Sequence, residues 1–197
     1  LAVILGYIDL MYNNPLESIP PDHLKGINVI EKSAKRLLRI TNNLLDVTRI
    51  EAGRLELTLE SLDLAAIIAE VALHLKPEID QKKHSFTIEK QPDLPRVLCD
   101  ENRTAQIFNN LLSNAIKYTP AQGTIGVTLH HSTQEAVVIV AVTDNGIGIP
   151  AKDLQNIGKS FFRASNVHLA SVSGAGLGLS ITRSLVELQG GQLWIES

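Results

Sequence analysis

The sequence predicts an α+β chain. An antiparallel helical hairpin pairs with a second copy into a dimeric four-helix bundle, and an α/β sandwich follows, with helices over one face of a single sheet. Three observations carry this expectation. Ile27, Ile30, Ala34, Leu37, Thr41, Leu44 and Thr48 step 3-4-3-4-3-4, a heptad seam. Pro15, Pro20 and Pro21 break the helical rhythm that precedes it. Beyond Asp63, helical and alternating segments intermingle as one sheet with helices on a face requires.

The elements follow in order. Leu1, Ile4, Ile8 and Met11 recur at helical spacing, and the prolines end this helix near Asn13 or Asn14. Asp22 is the expected N-cap of the second helix, although Lys25 stands where a capping box has Glu or Gln. Leu38 and Leu45 widen the heptad stripe toward a second neighbour, and a lone hairpin buries too little, so a homodimer is expected. Helix character fades at Ala52-Gly53. The domain boundaries read as hairpin 1–54, linker 55–62 and second domain 63–197. Asp63 caps the apolar helix LAAIIAEVALHLKPEI, Phe86–Glu89 is a strand, and Val97-Leu98 follows the Pro92/Pro95 turn. Asn102–Tyr118 is helical, with Ile107, Leu111, Leu112, Ala115 and Ile116 on its buried side. Ile125–His130 alternates, and Ala136–Thr143 reads as the best central strand. Leu177–Leu188 is helical and Leu193–Ile195 begins another strand.

Composition narrows the class. The 197 residues are 44% hydrophobic with net charge −3, a balance that does not favour nucleic acid as partner. No stretch approaches 18 uncharged apolar residues, so no membrane contact is expected within this piece. The single Cys99 excludes an internal disulfide and fits a reducing compartment. The chain opens in helical rhythm at LAVILGYIDLM and closes on LWIES, so it is expected to be part of a longer one.

Three clusters carry chemistry. In NNLLSNAIKYTP, Asn110, Asn114 and Lys117 are spaced four and then three on one helical face. Two carboxamides and an ammonium so aligned can hold a hydrated divalent cation and its phosphates, though surface helices often carry Asn and Lys. In VTDNGIGIP a hydrophobic strand ends at Asp144, which can accept from an exocyclic amine, and Gly146 and Gly148 let the backbone approach a flat ring. Asp-Asn-Gly is also a common turn. In SGAGLGLSI, Gly174, Gly176 and Gly178 precede a helix whose amide end faces phosphate. The run itself holds no Gly-Lys-Ser/Thr and no strand feeds it, so it is neither a P-loop nor a dinucleotide fingerprint.

In this order and spacing the clusters resemble the catalytic core of bacterial-type sensor histidine kinases. That core joins a dimerising hairpin to the Bergerat-type ATP-binding domain shared with gyrase B, Hsp90 and MutL-like ATPases. RLLRITNNLLDVTRIEAGRLEL is similar to the second hairpin helix and its exit, and DENRTAQIFNNLLSNAIKYT to the family's N box. DNGIGIP and SGAGLGLSI are similar to its two glycine boxes. The resemblance implies a Mg2+-ATP site. Asn110 would be the main metal ligand, Asn114 would support metal and phosphates, Lys117 would touch phosphate and Tyr118 would lie near the nucleotide. Asp144 would accept from adenine N6, with Gly146 and Gly148 shaping the base pocket. Gly174, Gly176 and Gly178 would frame the phosphates at the base of a sparsely anchored lid, about 158–175, from which Arg163 reaches in. The implied reaction is phosphoryl transfer from ATP to a histidine and on to an aspartate of a response regulator receiver domain. It implies the cytoplasmic portion of a protein that is membrane-anchored elsewhere.

The sequence departs from the family in two places. The acceptor histidine belongs to a His-Glu-x-x-Thr-Pro stretch that would end just ahead of Leu1, and none of the six histidines replaces it, so this polypeptide alone is not expected to autophosphorylate. Before the lid, I-F-E-x-F-x-R is replaced by IGKSFFR. Gly158 stands for an aromatic, and its loss is expected to reduce packing there. A nucleotide-binding or degenerate pseudokinase is the alternative this leaves. A gyrase-like hydrolase is a weaker one, because Asn110 supplies no carboxylate base.

Overall fold

The computed structural model describes residues 1–12, 21–167 and 175–197. The chain divides into two compact units, Leu1–Leu55 and Glu56–Ser197.

In the first unit, α1 (Ala2–Tyr12) packs on α2 (Pro21–Glu51), with Ile8 and Ala34 buried. Helix α2 begins at Pro21, so Asp22 falls inside its first turn and is not the N-cap; proline's fixed φ and missing N–H suit the first helical position. The expected end of α1 at Asn13 or Asn14 and the turn prolines 15 and 20 lie outside the described residues. The heptad seam splits. Ile27 and Ala34 turn inward, while Ile30, Leu37 and Leu44, seven residues apart, stay about half exposed at 53%, 52% and 48%. Thr41 donates to the Leu37 carbonyl at 3.0 Å and Thr48 to that of Leu45 at 2.8 Å, so their hydroxyls are satisfied within an apolar stripe. At the C-terminus Gly53 takes φ +62°, its N–H meets the Ile50 carbonyl at 3.0 Å, and Arg54 N–H meets that of Arg49 at 2.8 Å. These paired reverse bonds end the helix where a residue without Cβ can turn left-handed.

The second unit runs β1 (Glu60–Leu62), α3 (Leu64–Lys82), β2 (Ser85–Lys90), β3 (Val97–Cys99), α4 (Glu101–Tyr118), β4 (Thr124–Ser132), β5 (Val137–Asp144), α5 (Ala151–Leu154) and α6 (Gly178–Leu188). Residues 60–62, read as linker, form β1 and pair antiparallel with β3, Glu60 opposite Cys99. The alternation of Leu55, Leu57 and Leu59 shows only extended backbone; its partner lies across the fold. The main sheet has the order β2-β4-β5, with β2 and β4 parallel and β4 and β5 antiparallel. The central strand is therefore β4, and β5, expected at the centre, borders it. Ile125, Val127 and Leu129 on β4 are 0–2% exposed, the period-two burial of a central strand. Leu193–Ile195 forms no strand: 191–197 is irregular and Trp194 is exposed, because no ladder partner meets it.

Helices α3 and α4 cover one sheet face. Ile68, Leu112 and Ile116, all 0–2% exposed, join the β4 residues in one core, with Phe86, Ile88, Val140 and Val142 packed against it. Asp63 caps α3 by accepting from Ala65 N–H at 2.9 Å. On its far side α4 contacts α6, whose buried face is Ile181, Thr182 and Leu185. Helix α4 therefore lies between both neighbours and carries the first chemical cluster along its length.

Candidate nucleotide site

Helix α4 starts under strong control. Asp100, 8% exposed, accepts from Arg103 N–H at 2.9 Å as N-cap and from Thr58 N–H at 2.9 Å, while its own N–H donates to Gln189 at 2.7 Å. A carboxylate at a helix N-terminus also meets the positive end of the dipole. At the other end, the Lys82 ammonium donates to the carbonyls of Ile116, Lys117 and Thr119 at 2.6, 3.1 and 3.0 Å. It neutralises the negative end of α4 directly beneath the Lys117-Tyr118 pair. The Asp100 contacts to Thr58 and Gln189 and the Lys82 contacts are not legible from spacing, since those partners lie far apart in the chain.

Asn110, Asn114, Lys117 and Tyr118 are all half-buried on this helix. The Asn110 Nδ2 donates to the Gly178 carbonyl and the Thr182 hydroxyl, each at 3.4 Å, joining α4 to the first turn of α6. A Cβ on Gly178 would sit 3.6 Å from Asn110 Oδ1, so that oxygen faces the cradle at the start of α6. At the N-cap of α6, Leu177 makes no side-chain capping hydrogen bond among the described residues.

Two turns further, α4 meets the first glycine cluster. Ile147 N–H donates to the Tyr118 carbonyl at 3.2 Å, and Gly146 N–H to Asp144 Oδ1 at 2.9 Å. A Cβ on Gly146 would lie 2.7 Å from the Tyr118 carbonyl oxygen and 2.6 Å from Asp144 Oδ1, a direct reason for glycine. Gly148 has φ +65° and lies against the Ser197 hydroxyl, which accepts from Ile149 N–H at 2.7 Å. Asp144 itself is exposed at the strand end.

The second glycine cluster is described from residue 175 onward, and Gly174 lies outside the described residues, as does His168. Gly176, with φ +71°, packs on the backbone of Phe161 and Phe162: its Cβ would be 2.7 Å from the Phe162 carbonyl, and its own carbonyl accepts from Phe161 N–H at 2.9 Å. Arg163 is exposed on the same strip.

The described part of the expected lid, 158–167, carries more anchors than its composition suggests. Asp153 on α5, buried, accepts from Ser165 N–H at 2.7 Å and Ser165 Oγ at 2.8 Å, and these bonds, the backbone one first, hold its carboxyl below the usual range. Asn166 Nδ2 donates to the Ile147 and Gly148 carbonyls at 3.3 and 3.0 Å. The packing expected to be missing at Gly158 is also supplied. Its φ is +91°, and a Cβ there would meet the Arg183 guanidinium at 3.1–3.2 Å, so an α6 side chain occupies that space. The sequence reading missed Asn166 and Arg183, since neither belongs to a cluster.

The buried Cys99 thiol is pushed up, by burial first and then by Asp100 and Glu101, against a hydrogen bond with Thr104. A groove of about 350 Å³ between α3 and β2, bordered by Lys76, Asp80, His84 and Phe86, shares no residue with the three clusters.

Two family models match this chain in succession: the His Kinase A (phospho-acceptor) domain over residues 1–53, and the histidine kinase-, DNA gyrase B- and HSP90-like ATPase over residues 99–197. This chain belongs to the sensor histidine kinases. A sensor-like histidine kinase of Rhizobium meliloti, R01002, is 33% identical over the whole of this chain, which spans 37% of that protein. The sensor histidine kinase WalK of Bacillus subtilis is 27% identical, and the chain spans 32% of it. Among solved structures, full-length ShkA in complex with AMPPNP matches with a TM-score of 0.77 at 27% identity, over 95% of this chain and 38% of that one. ThkA in complex with its response regulator protein TrrA matches with 0.69 at 28% identity, over 100% and 53%. This histidine kinase core thus carries the helical region followed by the Bergerat-type ATP-binding domain. Its described first helix contains no histidine, and no described helix is long and apolar enough to cross a membrane.

Proposed function

We propose that this core binds Mg2+-ATP along α4 and supplies its γ-phosphoryl to a histidine of the dimerisation domain, for onward transfer to an aspartate of a response regulator receiver domain. One observation carries the reading: the same helix touches the base-side glycines at Tyr118 and the α6 N-terminus at Asn110. Eight residues of α helix advance about 12 Å, a span suited to a nucleotide lying from base to terminal phosphate.

The residues fit the ligands. Asn110 keeps Nδ2 on Gly178 and Thr182, which leaves Oδ1 for a cation at the mouth of the α6 amides. Among the described residues no three His, Cys, Asp or Glu side chains gather, so carboxamides and phosphates would hold the magnesium, with Asn114 second after Asn110. The ion, when bound, offsets charge on the phosphates. Lys117 and Arg163 bind phosphate oxygens, the α6 amides behind Gly176 and Gly178 receive them, and Gly174 belongs to the same motif. Asp144 accepts from adenine N6 with the oxygen that Gly146 does not occupy, and Gly146, Gly148 and Tyr118 border the ring. The absence of a carboxylate at Asn110 favours transfer over hydrolysis.

The exposed row of Ile30, Leu37 and Leu44 supports a homodimer through the hairpin. Likeness to ThkA bound to TrrA supports a receiver-domain partner. The reaction, which draws on ATP, belongs in the cytoplasm. The pseudokinase reading draws on the altered 157–163 segment, and the Arg183 guanidinium beside Gly158 speaks for a packed segment there.

Calorimetric titration of the chain with ATP, with and without magnesium, tests the site. Saturable magnesium-dependent binding is expected, weakened at least tenfold by Asn110→Ala and by Asp144→Asn, on the order of 1.4 kcal/mol or more. A folded chain that binds no ATP would overturn the proposal.

A further inference from the structure

We infer that Asn166 is a positioning residue of the nucleotide site, acting on the base-side loop through the carbonyls of Ile147 and Gly148. The inference rests on the nucleotide reading above and adds a residue outside its three clusters. The loop is held on its amide side by α4 and Asp144, through Ile147 N–H on the Tyr118 carbonyl and Gly146 N–H on Asp144. Its carbonyl side is held by the Asn166 carboxamide, at 3.3 and 3.0 Å. Both partners only accept, so the amide nitrogen must face them. The Oδ1 is then turned to a buried place where it has no hydrogen-bond partner among the described residues.

Asn166 is itself fixed in place. Its neighbour Ser165 is bound twice by the buried Asp153 of α5, and Val167 N–H closes a turn on the Ala164 carbonyl at 3.2 Å. Helix α5 begins three residues after Gly148, so the loop and the strip that clamps it share one short support. Asp144, the adenine acceptor in the reading above, hangs from the same loop. Releasing the 147–148 carbonyls therefore loosens base recognition first.

The test uses the full 197-residue chain. ADP and GDP affinities are measured calorimetrically, and the amide spectrum of the ligand-free protein is recorded, for the wild type, Asn166→Ala and Asn166→Asp. Loss of two neutral hydrogen bonds should weaken ADP about three- to tenfold and narrow the preference for ADP over GDP. Inorganic triphosphate should bind as before. Asn166→Asp, which offers only acceptors to the two carbonyls, should weaken ADP at least as much, while Asn166→Ser, which restores a donor, should recover part of the loss. The amides of Gly146 to Ile149 should shift in the free protein and those of α3 should not. Unchanged ADP affinity and unchanged loop amides in the folded variants overturn the inference, as does an equal loss for ADP, GDP and triphosphate. If the wild type binds no nucleotide, the nucleotide reading falls, and the ligand-free spectrum still decides whether Asn166 holds the loop.

Discussion

At the scale of single residues, two glycines exclude a side chain for different reasons. A Cβ on Gly146 has nowhere to go, with Asp144 Oδ1 at 2.6 Å and Tyr118 backbone at 2.7 Å. Gly146→Ala must push the loop off α4. Expected are a loss of ADP affinity beyond about tenfold and a stability cost of about 1–3 kcal/mol, read by calorimetry and thermal denaturation. Gly158 is a different case. Judged against its family, Gly158→Phe restores an aromatic and should stabilise. Judged against φ +91° and the Arg183 guanidinium at 3.1 Å, it should destabilise by about 1–3 kcal/mol. Equilibrium denaturation distinguishes the two outcomes, and an increase in stability would show that the Arg183 packing is dispensable. The motif glycines were legible because a glycine run after a strand limits backbone geometry in a recognisable way. Arg183 and Asn166 were not, since a polar residue in a loop or on a helix announces nothing until its neighbour is known.

At the scale of elements, the termini of α4 and the support of α5 carry the site. Lys82→Met would strip three carbonyls at the end of α4 of their ammonium. It should cost about 1.5–3 kcal/mol by denaturation, with the Lys117 and Tyr118 amides exchanging faster. Asp153 sets a pH response. Its folded pKa lies below the ordinary carboxylate value, so its contribution is complete above about pH 4 and is lost as the pH falls through the folded value. The strip around Ser165 should therefore open to proteolysis in acid before the core unfolds, and Asp153→Asn should remove that step. Helix limits were largely readable. Asp63 caps α3 and Gly53 ends α2 as read, whereas Asp22 lies inside its helix and the Asp100 cap of α4 went unread. The strands were less so. Alternation found β4 and β5 but could not say that β4, not β5, lies between two others, and it could not give residues 60–62 their partner at 97–99.

At the scale of the whole molecule, the apolar row on α2 asks for a partner. Leu37→Glu with Leu44→Glu should convert a dimer into a monomer in light scattering while ADP affinity stays within about twofold, because the two units are compact separately. A dimer that survives both charges would remove this face from the interface. The sequence by itself determined the family, the heptad helix, the helix with Asn110, Asn114 and Lys117 on one face, and the two glycine clusters. All of these are local patterns, set by the 3.6- and 2-residue periods and by backbone freedom at glycine. Only the tertiary structure decided that Tyr118 and Asn110 each join α4 to a different glycine cluster, that Lys82 closes the end of α4, that the Arg183 guanidinium lies against Gly158, and that Asn166 donates to the Ile147 and Gly148 carbonyls. Each of these contacts joins residues that no sequence period relates, and hydrogen bonding and close packing select them only once the chain has brought them together.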